Sequence, residues 1–165
     1  MIESPLQIIE RIAKDSDRSL AVVFFLFFAR FEYVLKRAGW VTVGPEAKAD
    51  WDKYGRQHAD LLTRNTEVRF QNAVAYLKQR PPEKQIVGSS GLAWASDQYS
   101  AAFDLARVLT LVCRIRNNLF HGGKFSSGPV PDASRDKDLL EAALIVMQGC
   151  LDFEAQLSAD FIMDL

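Results

Sequence analysis

Ten consecutive apolar residues, Leu20 to Ala29 (LAVVFFLFFA), restrict this chain more than any other feature of it. A helix of that length rises about 15 Å, half of a bilayer core of about 30 Å. Asp15, Asp17 and Arg18 precede the run, Arg30 and Glu32 follow at once, and no small-residue cleavage site accompanies it. A spanning helix and a secretory leader both fit poorly. The expectation is a central, wholly buried helix of a cytoplasmic helical bundle, with no membrane partner.

The rest of the composition agrees with one domain over residues 1–165, because 48% hydrophobic and 25% charged residues are ordinary for a folded globule. Twenty Lys and Arg against 21 Asp and Glu leave a formal charge of −1, so bulk positive charge cannot hold a nucleic acid and any such contact must be local. Cys113 and Cys150 are too few for a disulfide scaffold and lack metal-ligand spacing. Both fall on apolar helical faces, as buried thiols of a reducing compartment would.

Prolines and glycines cut the chain into helix-sized pieces. Ser4, Pro5 and Gln7 form a start signal for a short helix carrying Leu6, Ile8, Ile9 and Ile12. Ser16 or Asp17 caps the next, which runs to Lys36 and Arg37 with Gly39 past its end. Gly44 and Pro45 open a third carrying Trp51, Tyr54 and His58, and a fourth runs from about Glu67 to Gln79, stopped by Arg80-Pro81-Pro82. Residues 81–97 read as a flexible loop; Gly88-Ser89-Ser90-Gly91 lacks the lysine of a phosphate-binding loop. Asp97 is expected to cap a helix over Gln98–Asn118 with Ala102, Leu105, Leu109, Val112 and Cys113 facing the core. A second loop covers His121 to Ser134, and one last helix runs from Arg135 to near the end, with Leu140, Leu144, Met147, Leu151, Glu154 and Phe161 along one side. No stretch alternates long enough to assign a strand. The fold class is all-α, an up-and-down bundle of five or six helices.

Chemistry has few places to reside. No zinc-hydrolase, serine-hydrolase or paired-aspartate pattern occurs, and no metal or cofactor is expected. His58, among polar residues, reads as a surface side chain. His121 closes the segment Arg114-Ile115-Arg116-Asn117-Asn118-Leu119-Phe120-His121, followed by Gly122, Gly123 and Lys124. Arg116 and His121 stand about 140° apart on a continuous helix. A helix ending near Asn118 or Leu119, before the two glycines, would let the imidazole swing back toward the guanidinium. Alternatively, the asparagines and glycines simply terminate the helix, with His121 as a polar end residue.

The segment RNNLFH resembles the R-x-x-x-x-H signature of the HEPN superfamily, with Asn117 as the polar residue after the arginine. ARFEYVLKRAG in the early helix, and RNNLFHGGK followed by a Pro/Gly loop and RDKDLLEAAL, are similar to HEPN-type proteins of bacterial defence and toxin–antitoxin systems. The resemblance implies a metal-independent endoribonuclease whose composite site forms in a homodimer, acting on RNA as a toxin or antiphage effector restrained by an antitoxin or a neighbouring defence protein. It makes Arg116 and His121 the catalytic pair and Asn117 a supporting residue. Asn118, Lys124 and Arg114 are further candidates for RNA contact, although Lys124 is equally readable as solvated and Arg114 as an ion-pair member. Glu32 either orients Arg116 or pairs with Arg30 or Lys36 on its own helix. The alternative function is a non-catalytic helical module that binds a protein or a nucleotide. It is favoured by the near-neutral charge, because RNA binders usually carry a basic stripe.

Overall fold

The computed structural model describes residues 18–96, 102–120 and 133–163. Among them are seven helices and one two-stranded sheet: α1 (Arg18–Arg37), α2 (Trp51–Gln57), α3 (Leu61–Arg64), α4 (Val68–Gln79), β1 (Lys84–Gly88), β2 (Gly91–Ala95), α5 (Leu105–Phe120), α6 (Ala133–Phe153) and α7 (Ala155–Ile162). The expected helix at Leu6–Ile12, the Ser16/Asp17 and Asp97 caps, and most of the loop from His121 to Ser134 lie outside the described residues. No described helix is long and apolar enough to cross a membrane.

The end of α1 follows from its sequence. Gly39 adopts φ +89°, a left-handed conformation that glycine tolerates best. Its amide donates to the Lys36 carbonyl and that of Trp40 to the Leu35 carbonyl, which satisfies two helix-end acceptors. Lys36 and Arg37 occupy the last turn, where the helix dipole favours cations.

The helix expected from Gly44 and Pro45 begins later. Those two residues sit in a loop closed by the Val41–Ala49 bridge, and α2 starts at Trp51 with the Asp50 carboxylate accepting from the Lys53 amide at 3.0 Å. An aspartate satisfies an open first-turn amide that Gly-Pro cannot reach.

Residues 84–95 correct the expected loop. They form an antiparallel hairpin pairing Lys84 with Ala95 and Gly88 with Gly91, with Gly91 at φ +117°. The two-residue turn Ser89-Ser90 is short enough to set the register. Helix α5 likewise starts later than expected, at Leu105, where the Asp104 carboxylate accepts from the Arg107 amide at 2.9 Å. Ala102 is therefore exposed and outside the helix.

The long last helix is broken at Glu154, whose extended backbone separates α6 from α7. Leu140, Met147 and Leu151 of the expected apolar side are buried, and Leu144 and Phe161 pack against the core.

Helix α5 packs on α2, α6 lies against α4 and α1, and α7 returns along α1. The core joins Phe24, Phe28 and Phe31 of α1 to Leu109 and Val112 of α5 and Val146 and Met147 of α6. The spacing between α2 and α5 depends on Gly55, whose missing side chain would otherwise meet the Ala106 backbone. One expectation is overturned: α1 is not wholly buried. Phe24, Phe28 and Phe31 face inward, but Val22, Val23, Phe25 and Leu26 of the same apolar run are exposed. Among the described residues, the bundle packs on the Phe24, Phe28 and Phe31 side of this helix.

Candidate functional site

The site is built where the end of α5 meets the middle of α1. Arg116 is one turn before Phe120, so both side chains leave α5 on the α1 side. The Phe120 ring packs at a tilt against Phe25 with centroids 4.9 Å apart. The Arg116 guanidinium lies over the Phe28 ring, 5.1 Å from its centroid, and its Nη2 reaches a Glu32 carboxylate oxygen at 3.5 Å. Phe28 and Glu32 are themselves one turn apart, and together they hold the planar cation from its face and its edge. The Arg116 side chain remains 35% exposed.

Glu32 combines both readings offered by its sequence. It accepts Lys36 on its own helix at 3.6 Å and Arg116 across the bundle at 3.5 Å. One carboxylate between two cations leaves this trio with one net positive charge. Helix α5 continues to Phe120, past the expected end at Asn118 or Leu119, because Leu119 packs on the core and Phe120 on Phe25. His121, Lys124 and the two glycines lie outside the described residues, although His121 is the next residue after this last turn.

The other candidates separate by helix face. Asn117 is exposed. Arg114 and Asn118 project away from Arg116 and hold the segment leading into the hairpin. Arg114 Nη1 donates to the Pro82 carbonyl at 3.1 Å and Asn118 Nδ2 to the Glu83 carbonyl at 2.9 Å. Arg135 of α6 adds a bond to the Pro81 carbonyl at 3.2 Å. Burial lowers the Arg114 pKa, so this guanidinium is partly withdrawn from water. Arg114 and Asn118 thus serve the fold, and Arg116 and Glu32 form the open pair.

A second polar cluster was not legible in the sequence. His58, expected at the surface, is mostly buried among the rings of Trp40, Tyr54 and Phe153. Its Nδ1 donates to the Tyr54 carbonyl at 3.0 Å and its Nε2 stands 3.4 Å from Glu154, the residue at the α6–α7 break. The Tyr54 hydroxyl is wholly buried, and burial, then the charges of Cys150 and Glu154, raise its pKa far above the usual phenol range. Burial likewise pushes the Cys150 thiol up to about 12, which makes it inert as a nucleophile near neutrality. Only tertiary packing brings these groups together, and no spacing in the chain announces it. Among the described residues, no three His, Cys, Asp or Glu side chains gather as a metal-binding group would.

Comparison with known proteins adds no relative: no family model, no curated protein and no solved structure matches the chain.

Proposed function

We propose that this protein is a metal-independent endoribonuclease of HEPN type, with Arg116 and His121 as its catalytic pair. The observation that supports the reading is the partly exposed Arg116 side chain, its guanidinium held by Glu32 and Phe28 one turn before the end of α5. RNA carries its own nucleophile, so cleavage needs proton transfer and charge stabilisation rather than an activated water. The 2′-hydroxyl oxygen attacks the adjacent phosphorus as its proton passes to a base. The 5′-oxygen leaves as it takes a proton from an acid, giving a 2′,3′-cyclic phosphate and a 5′-hydroxyl end. Imidazole titrates near neutrality and serves either transfer; a position after a helix C-terminus favours the imidazolium, hence the acid. A guanidinium forks onto two phosphate oxygens as their charge grows. The resemblance to defence and toxin–antitoxin proteins makes a restraining partner protein part of the proposal.

The test is cleavage of single-stranded RNA by the purified chain in EDTA. The intact protein is expected to release cyclic-phosphate ends. Arg116→Ala and His121→Ala should each lower the rate at least about 100-fold with the circular dichroism spectrum unchanged, since positioned acid–base groups contribute about 10²–10⁴-fold. Full activity in both variants overturns the site. The non-catalytic module has one observation in its favour: Arg114 and Asn118 are engaged with backbone carbonyls rather than open to a ligand. No turnover by the intact chain, together with a stable complex with a neighbouring gene product, would favour that module.

A further inference from the structure

We propose that Phe25 and Phe120 form a stacking platform for one unpaired nucleobase, beside the phosphate that Arg116 would hold. The proposal rests on the ribonuclease reading for its ligand, single-stranded RNA, and adds a pair of binding residues to that site. Both rings are large apolar groups left in the open: Phe25 is 45% exposed and Phe120 47%. Among the phenylalanines of α1, Phe24, Phe28 and Phe31 are buried and Phe27 is partly so, whereas Phe25 turns outward. The two rings are tilted 53° from each other, so they touch without lying face to face. Placement ties them to the site. Phe120 follows Arg116 by one turn of α5, about 5.4 Å along the axis. Phe25 precedes Phe28, the ring under the guanidinium, by three residues on α1. A phosphate drawn to Arg116 thus brings its own nucleotide's base, one ribose away, to the level of Phe25 and Phe120.

The charge of the chain gives the rings their role. With a formal charge of −1 the protein offers no bulk attraction for a polyanion. Arg114 and Asn118 are bonded to the Pro82 and Glu83 carbonyls, on a different face of α5. Affinity for a strand must then draw on contacts that neutralise no phosphate, and stacking of a base on an aromatic ring is such a contact. The trio of Arg116, Lys36 and Glu32 supplies the one net positive charge that a single phosphate beside that base requires. Every base presents a flat apolar face, so the platform is expected to accept any of the four. In a duplex those faces are covered by neighbouring bases, and the platform therefore selects loops and single strands.

The test reads binding, by fluorescence anisotropy in EDTA, with the His121→Ala chain as the parent so that the strand stays whole. The probes are a short oligoadenylate and an abasic oligomer of the same length and charge. The parent is expected to hold the oligoadenylate more tightly. Phe120→Leu keeps an apolar side chain against Phe25 but removes the ring. It should weaken oligoadenylate binding roughly 5- to 150-fold, which corresponds to about 1–3 kcal/mol per stacked base. Affinity for the abasic strand and the slope against salt should both stay unchanged. Phe25→Leu should act in the same direction, and Phe120→Trp should match or exceed the parent. Equal affinity of the parent for the two strands overturns the proposal. A loss in Phe120→Leu that is as large for the abasic strand does so too, since the ring would then act through Arg116. A parent that binds neither strand also overturns it, whatever protein partner the rings then serve. Failure of the ribonuclease reading shows separately. Base-dependent binding together with an intact chain that cuts nothing removes the nuclease and leaves the platform; cleavage without base dependence does the reverse.

Discussion

Gly55 shows how far a single residue can set the spacing of helices. A Cβ there would land on the Cα and amide nitrogen of Ala106, which are backbone and cannot rotate aside. Gly55→Ala must therefore push α2 off α5, at about 3 kcal/mol for overpacking a tight contact. The expected outcome is a melting temperature lower by roughly 6–12 °C in a chain of this size. An unchanged melt would mean that α2 and α5 are not in backbone contact. Nothing in WDKYGRQ identifies this glycine, because a close approach between helices leaves no mark in either helix alone. Arg116 and Glu32 differ from it. Both partners of Glu32 were open in the sequence, Lys36 as a one-turn neighbour and Arg116 as the residue it would orient, but only the packing of two distant segments shows that it takes both. His58 is the clearest failure. Its local sequence is polar, and only Trp40, Phe153 and Glu154 from elsewhere make the position buried.

At the level of elements, what was legible is what local chemistry fixes. Helix α4 stops where Pro81 and Pro82 withhold amides, and α1 stops where Gly39 turns left-handed. The hairpin was missed because its strands are five residues each and bury no residue on either face, so no clean alternation of apolar and polar residues appears. Its anchor lies in other elements, in Asn118, Arg114 and Arg135, whose side chains supply donors to the carbonyls of Pro81–Glu83. Removing one such bond costs about 1 kcal/mol. Asn118→Ala is accordingly expected to speed amide exchange across residues 84–95 while α5 keeps its protection. Equal exchange in both proteins would show that the hairpin is held some other way. RNA cleavage by Asn118→Ala should stay near the wild-type rate, because this side chain faces the hairpin rather than Arg116.

For the molecule as a whole, near-zero net charge limits how it can hold a polyanion. If binding runs through Arg116 and one or two neighbours, few counterions are released. The logarithm of the association constant should fall against the logarithm of salt with a slope of roughly −1 to −2, at about 0.7 per phosphate neutralised on a single strand. Fluorescence anisotropy with the His121→Ala chain measures this directly, and a slope steeper than about −4 would mean that many more cations than Arg116 and its neighbours hold the strand. The apolar run of α1 was legible as a demand for cover, but the exposure of Val22, Val23, Phe25 and Leu26 was not. The tight seam at Gly55 has a mechanical corollary. With α2 and α5 in backbone contact at Ala106, the first turn of α5 is pinned like the hinge side of a plate. Any yielding of α5 to a polynucleotide must then occur at its other end, where rings and an ion pair, not main chain, bridge Arg116 and Phe120 to α1.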